Sequence, residues 1–271
     1  MQRLINTEKC IDLDNLTKIE IDLDKERTRF IIRNKLRKSA GTKRLGVLWL
    51  ILDPVAMSLV YLFVLSVVRS YPNFESLFIG VSMYRLFQSS FMSGVGSISN
   101  FSGGIICERI RSRVLFHAAI KYRAIESLIQ SSGISVILFL FLGVSLDAVI
   151  IFIIISLLMG VVAEGLGFNL SKLVRRIPDV NNIIKYFMLL MFFGSPVLYP
   201  MAITSGLHYK INEYNPFSYF VETVRYYADL ESVILDFSPT LLSIIILMTL
   251  LLSFRGYYQI DRLRWEVSSW S

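Results

Sequence analysis

Residues 183–227 read IIKYFMLLMFFGSPVLYPMAITSGLHYKINEYNPFSYFVETVRYY, and this stretch decides the fold. An apolar run ends in glycine, serine and proline at 194–196, and two short amphipathic pieces separate it from the next long apolar run. Irregular backbone at membrane depth is tolerated where protein or a water-filled cavity covers it. The pattern therefore predicts a re-entrant segment at the outer rim of a membrane protein.

The composition of the whole chain agrees with this environment. Of its 271 residues 54% are hydrophobic and 18% are charged, and the mean hydropathy is +0.56, as expected of a protein with several membrane spans. The net charge of +7 does not indicate nucleic-acid binding, because the basic residues lie between apolar runs and not on a soluble face. We expect Cys10 and Cys107 to form no disulfide, since both fall in segments predicted to be cytoplasmic.

Six apolar runs are each close to the roughly 20 residues that a bilayer core requires. They lie at 46–68, 74–96, 126–143, 147–170, 183–201 and 237–255. The sequence thus predicts an all-α membrane protein with six transmembrane helices. Its predicted parts are an N-terminal extension at 1–24, an amphipathic interfacial helix at 25–45, a six-span domain at 46–255 and a tail at 256–271.

The basic residues fall on alternate sides of these runs. Segments 1–44, 97–124, 171–185 and 255–271 hold 24 of the 28 lysines and arginines. By the positive-inside rule, both termini lie in the cytoplasm of a multi-pass inner-membrane protein, and residues 201–236 lie outside.

The N-terminal segment divides into two patterns. Residues 25–38 carry seven basic residues among Phe30, Ile31 and Leu36, which is typical of a helix at the headgroup surface. An ordinary solvated basic helix is the alternative interpretation. Residues 19–24 alternate acids with isoleucine and leucine, a pattern that predicts either a short edge strand or a mobile segment.

Charged residues inside the predicted spans need partners or a watery cavity. Arg85, Glu126 and Glu164 each lie on a stripe of polar and small residues at helical spacing. Either these stripes line a translocation route, or Arg85 pairs with Glu126 or Glu164 and stabilises the bundle. Glycines such as Gly160 and Gly167 favour close helix packing, because small residues let helices approach in lipid.

The first predicted span contains a further polar break and several aromatic side chains. Asp53-Pro54 interrupts it one turn after Trp49, which places an acid near its cytoplasmic end. Trp49 and Tyr61 are candidates for stacking on sugar rings, although aromatic residues near span ends are usually interface anchors.

Motifs for several kinds of chemistry are absent from the sequence. There is no GxxxxGK[ST] loop, no HExxH and no GxSxG, and the two histidines are predicted on opposite sides of the membrane. We therefore expect no metal site and no enzyme activity. The remaining classes of function are a channel, a structural subunit, and a transporter whose energy source lies on another chain.

Six short motifs lie in order along the chain: RLGVLWLILDP at 44–54, RAIE at 123–126, RIPDV at 176–180, SPVLYP at 195–200, NPF at 215–217 and VETVR at 221–225. Together they resemble the permease subunit of type-2 ATP-binding-cassette polysaccharide exporters, the family that exports capsular polysaccharide, O-antigen or teichoic acid. RAIE and VETVR are more similar to the capsule branch. The segment 105–114 departs from the family pattern because it lacks proline.

The resemblance implies a homodimer of six-span subunits with two ATP-binding-cassette subunits below it. ATP and Mg would bind to those partners, with no cofactor on this chain. Cytoplasmic coupling segments would include Glu108, Arg109, Arg111, Arg113, Arg175, Arg176 and Asp179. Candidates for the translocation pathway are Trp49, Asp53, Tyr61, Arg85, Glu126 and Glu164. The outer re-entrant gate would include Tyr199, Asn215, Glu222 and Arg225. A basic helix that admits substrate would include Arg33, Lys35, Arg37 and Lys38.

The implied function is ATP-driven export of a lipid-linked polysaccharide, with capsular polysaccharide favoured and a periplasmic adaptor as a further partner. A drug or lipid exporter of the same superfamily is the first alternative. The second is a membrane-embedded lipid-linked-sugar transferase, for which Glu222 with Asp229 or Glu231 would supply the acids.

Overall fold

A computed structural model describes residues 18–40, 46–69, 73–97 and 112–268. At some helix ends within these ranges it describes the backbone and not the side chains. The helices are α1 (Lys18–Ala40), α2 (Trp49–Arg69), α3 (Phe74–Val95), α4 (Ser112–Leu142), α5 (Leu146–Arg176), α6 (Val180–Gly194), α7 (Gly206–Glu213), α8 (Pro216–Tyr227) and α9 (Pro239–Ser268). Single 3₁₀ turns cover Gly46–Leu48 and Met201–Ile203. The described residues contain no strand, which confirms the all-α prediction.

Three helices among the described residues are long and apolar enough to cross a membrane. They cover Val114–Leu142, Leu146–Arg176 and Pro239–Tyr258. Two shorter apolar helices cover Ile51–Leu65 and Val180–Gly194. All six predicted spans coincide with helices, while the crossing of the membrane by α2, α3 and α6 stays a prediction.

Several helices differ in extent from the segments predicted for them. Residues 19–24 belong to α1 and not to an edge strand, and acids of this stretch pair one turn onward, as in the 3.0 Å contact between Asp22 and Lys25. Helix α4 begins at Ser112, well before the predicted start at 126. Helix α6 ends at Gly194, because Pro196 removes a backbone donor. Helix α9 continues through most of the predicted tail.

Helix α3 lies at the centre of the bundle. Fourteen of its residues are buried, among them serines as well as Phe78, Met83 and Leu86. It contacts α2, α4, α5, α6 and α8. Burial among other helices accommodates polar residues of α3, because Ser76, Ser82 and Ser90 are buried and do not face lipid.

Helix α5 packs against α3 and α9 at glycine contacts. A Cβ atom on Gly167 would lie 2.2 Å from the carbonyl oxygen of Phe91 in α3, and one on Gly256 would lie 1.8 Å from the carbonyl oxygen of Gly165. Gly160 approaches the hydroxyl of Ser127 in α4 equally closely. These contacts confirm the packing role predicted for the glycines of α5.

Helix α1 lies along the first turns of α4. Ile31 and Ile32 are buried in a second apolar cluster that includes Val114, Ala118 and Tyr122 of α4. Phe30, one position away on the helix, is 67% exposed. The helix therefore has one face on the bundle and an apolar side chain outside it, as expected of an interfacial helix.

Candidate functional site

The segment after α6 folds back on the bundle around one arginine. Nη1 of Arg225 lies 2.9 Å from Oε1 of Glu222 and donates to the carbonyl oxygen of Pro196 at 2.7 Å. Nη2 donates to the carbonyl oxygens of Ser76 at 3.2 Å and Val197 at 3.3 Å. One guanidinium thus joins α8, the turn after α6 and the first turn of α3.

The carboxylate of Glu222 is equally enclosed. It accepts hydrogen bonds from the backbone amides of Met201 at 3.3 Å and Val233 at 3.2 Å, and the side chains of Glu222 and Arg225 are both 0% exposed. A carboxylate held in this way cannot meet a lipid headgroup in this conformation. The geometry gives no support to Glu222 as the acid of a transferase.

Two asparagines hold the short helices of this outer segment, residues 195–237. Asn215 caps α8 by accepting from the amide of Phe217 at 3.1 Å, and its amide donates to Oγ of Ser195 at 2.9 Å. Asn212 is buried and donates to the carbonyl oxygen of Gly194 at 2.8 Å. The outer segment is therefore fastened to the end of α6.

Tyr199 lies at the more exposed side of the same segment. Its hydroxyl is 2.8 Å from the carbonyl oxygen of Phe193 and 2.8 Å from Nε2 of His208. The four predicted gate residues, Tyr199, Asn215, Glu222 and Arg225, are thus brought together in one hydrogen-bonded segment. Their role in gating stays a prediction.

A second ion cluster joins α4 to α5 and α9. Arg123 lies 2.8 Å from Glu126 on its own helix and 3.4 Å from Glu164 on α5. Ser93 of α3 donates to Glu164 at 3.2 Å, and the hydroxyl of Tyr257 lies 3.4 Å from it. Glu164 is 1% exposed, so in this conformation its carboxylate faces other helices.

Arg85 pairs with neither of its predicted partners, Glu126 and Glu164. Glu126 and Glu164 both bind Arg123, and Arg85 binds Asp53 of α2, with Nη2 3.2 Å from Oδ2. The side chains are 24% and 53% exposed, respectively. The pair lies between Trp49, which is exposed at the start of α2, and Tyr61, whose ring contacts Phe192 at 4.8 Å.

The predicted cytoplasmic residues are only partly described. Glu108, Arg109 and Arg111 lie outside the described residues, as do the side chains of Lys38 and Arg113. Arg175, Arg176 and Asp179 are exposed at the short turn between α5 and α6.

The basic side chains of α1 differ in their surroundings. Arg33 and Arg37 are exposed. Nζ of Lys35 lies 5.1 Å from the centre of the Tyr122 ring, and burial lowers the pKa of this amine below its ordinary value. Lys35 therefore belongs to the contact between α1 and α4.

Sequence reasoning missed several residues that hold these clusters. Arg123 was noticed only as part of a motif, although its spacing of three from Glu126 is a usable signal for a helical ion pair. His208, Asn212 and Tyr257 carried no such signal, because their partners lie far away in sequence or on the backbone.

These features define a multi-pass helical membrane protein in which Arg123 and Arg225 form buried ion pairs, while the pair of Asp53 and Arg85 is partly exposed. The chain belongs to the ABC-2 type transporter family, which residues 26–228 match. It is therefore a transport protein of that family.

A curated relative is the O-antigen export system permease protein RfbA of Myxococcus xanthus. It is 25% identical to this chain over 180 residues, which make up 64% of this chain and 67% of RfbA.

Proposed function

We propose that this chain is the permease subunit of an ATP-driven exporter that moves a lipid-linked polysaccharide out of the cytoplasmic leaflet of the inner membrane. In this proposal two copies form the conduit, and two ATP-binding-cassette subunits bind ATP and Mg from the cytoplasmic side. Membership of the ABC-2 type transporter family and the similarity to RfbA, a permease of O-antigen export, support this class of function. The observation that carries it in the structure is the pair of Asp53 and Arg85.

This ion pair lies on a helix face that is otherwise apolar. Asp53 is half-exposed, and Val60 and Phe63, further along α2, are 56% and 70% exposed. Charged side chains in a span almost always face a bundle interior or a water-filled cavity and not lipid. A second copy of the chain, enclosing a polar path along α2, supplies that environment.

Cysteine cross-linking tests the dimer. Val60 lies seven residues after Asp53, and therefore nearly above it on α2. In a chain with Cys10 and Cys107 replaced by serine, we expect Val60→Cys to form a disulfide-linked dimer in native membranes. Leu140→Cys on α4, 66% exposed, is the matched control and should stay monomeric. Linkage at 140 without linkage at 60 would place the interface elsewhere.

Transport itself is tested on the Asp53–Arg85 pair. Because both side chains are partly exposed, removing the pair should cost the fold no more than about 1 kcal/mol. We expect Asp53→Asn with Arg85→Gln to purify as a folded complex with the ATPase subunit, yet to lose glycan-stimulated ATP hydrolysis. Unchanged stimulation in this variant would remove the pair from the pathway.

The partner and the cargo require separate measurements. Purification of the tagged chain from native membranes should recover a nucleotide-binding subunit with a phosphate-binding loop. A periplasmic adaptor is a further partner to seek in the same preparation.

We propose capsular polysaccharide as the cargo because RAIE and VETVR favour that branch, whereas the curated relative is named for O-antigen. Loss of O-antigen with capsule intact in a deletion strain would reverse this choice.

The remaining predicted roles belong to the same proposal. The exposed turn at Arg175, Arg176 and Asp179 would contact the ATPase subunits, together with the segment at 107–113. The exposed Arg33 and Arg37 of α1 would attract the phosphate of the lipid carrier. The outer segment would form the outer gate, and both termini of the chain would lie on the opposite, cytoplasmic side of the membrane.

A further inference from the structure

A groove of about 410 Å³ separates α1 from the first turns of α4. Its apolar lining consists of Ile21, Ile32 and Val114. Its polar lining consists of Asp24, Lys25, Thr28 and Arg29 of α1 and of His117 and Lys121 of α4. The groove is thus lined by both apolar and mainly basic side chains.

The charges around this groove are unevenly paired. Lys25 lies 3.0 Å from Asp22, and Asp24 lies 3.7 Å from Arg27. Arg29 and Lys121, which are both exposed, form no ion pair within the described part of the chain. The groove therefore presents two cations from two different helices that have no described countercharge.

The length of α4 indicates the depth of the groove in the membrane. The apolar part of α4, Val114–Leu142, has 29 residues and is about 44 Å long, whereas the hydrocarbon core is about 30 Å thick. Its far end carries the exposed apolar Leu140 and Phe141, which suit the core. About nine residues at the near end then project into the headgroup region, and His117 and Lys121 are among them.

We propose that this groove binds the headgroup phosphate of an anionic bilayer phospholipid, with Arg29 and Lys121 as its ligands. A phosphodiester at headgroup depth supplies the missing negative charge and accepts charge-assisted hydrogen bonds from both side chains. His117 is a third donor on the same wall. The bound lipid joins α1 to α4 at the membrane surface, and the site does not depend on which cargo the protein exports.

Lipid binding to the purified full chain tests this site. The chain in neutral detergent is titrated with phosphatidylglycerol, and bound lipid is counted by native mass spectrometry. Arg29→Gln with Lys121→Gln should weaken phosphatidylglycerol binding by about tenfold, because each basic contact near the surface contributes substantially. Lys185→Gln with Arg255→Gln removes the same charge from exposed positions that do not line the groove, and it should change binding by less than about twofold.

Equal weakening by both double variants would show diffuse attraction and overturn the site, as would no weakening by either. Binding of a polyprenyl diphosphate without binding of phosphatidylglycerol would also overturn it, since the groove would then serve the cargo carrier. If the groove variant does not fold, the native chain is cross-linked with a photoreactive phosphatidylglycerol headgroup. Label within 21–32 and 114–121 supports the proposal, and label confined to other peptides contradicts it.

Discussion

Replacing Arg225 by alanine should unfold the outer segment, and the cost can be worked out from its contacts. The substitution removes donors from four backbone carbonyl groups, those of Ser76, Pro196, Val197 and Tyr199. It also leaves the carboxylate of Glu222, 0% exposed, without its countercharge. Breaking a buried ion pair from one side costs about 3–5 kcal/mol. The carbonyl groups contribute within that range and not in addition to it, since contacts within one network are not additive.

Thermal unfolding of the purified chain in detergent measures this cost. A loss of this size corresponds to a fall of about 10 °C in the midpoint for a chain of this length. Lys210→Ala is the matched control, because it removes an exposed basic residue from the same outer segment, and it should leave the midpoint within about 2 °C. Glu222→Gln combined with Arg225→Ala should lose less than Arg225→Ala alone, because no buried charge remains.

The reasoning would be refuted by an Arg225→Ala chain that unfolds at the same temperature as the native chain. It would be refuted equally by a double variant that is less stable than Arg225→Ala alone, because an unpaired Glu222 carboxylate would then not be the dominant cost. Proteolysis provides a second readout. Loss of the pair should expose the chain between α6 and α9 to cleavage, while the rest of the bundle stays resistant.

Three further substitutions test other contacts. Gly167→Val should destabilise the chain by about 1–3 kcal/mol or prevent folding, because its Cβ would lie 2.2 Å from the carbonyl oxygen of Phe91. A Cβ on Gly194 would have no atom within 4 Å, so Gly194→Ala should be tolerated. Thermal unfolding compares the two variants. Tyr199→Phe should cost about 1 kcal/mol by losing its hydroxyl contacts, and an unchanged unfolding midpoint would contradict this. The folded-state pKa of Lys35 lies below 10.5, so between that pKa and 10.5 the unfolded state binds more protons than the folded state. The free energy of unfolding should therefore rise as the pH approaches 10.5 from below. Lys35→Met should reduce that rise in a pH series of unfolding midpoints.

The sequence was sufficient to predict where most helices lie. Apolar runs located the spans, and the break after Gly194 identified the outer segment, because proline and polar residues end a helix by local chemistry. Helices extend beyond the apolar runs where a neighbouring helix covers them. Helix α4 includes residues 112–125, whose turns are covered by α1, and no local pattern shows that cover in advance.

The partners of the charged residues were much harder to predict. Helical spacing makes the pair of Arg123 and Glu126 predictable from the sequence. The pairing of Arg85 with Asp53 depends instead on the axial position of α3 relative to α2. A shift of one turn, about 5.4 Å, would separate those side chains. The sequence therefore identified charges that require partners, and packing between helices determined which partners they find.

The bonds of Arg225 also restrict how the outer segment can move. The segment is held to the first turn of α3 through the carbonyl oxygen of Ser76, and a Cβ on Gly80, one turn further along α3, would lie 2.0 Å from the carbonyl oxygen of Val197. Motion that keeps these contacts cannot be that of a flap hinged at Gly194. In any motion that keeps these contacts, the segment is displaced only together with α3, the central helix of the bundle.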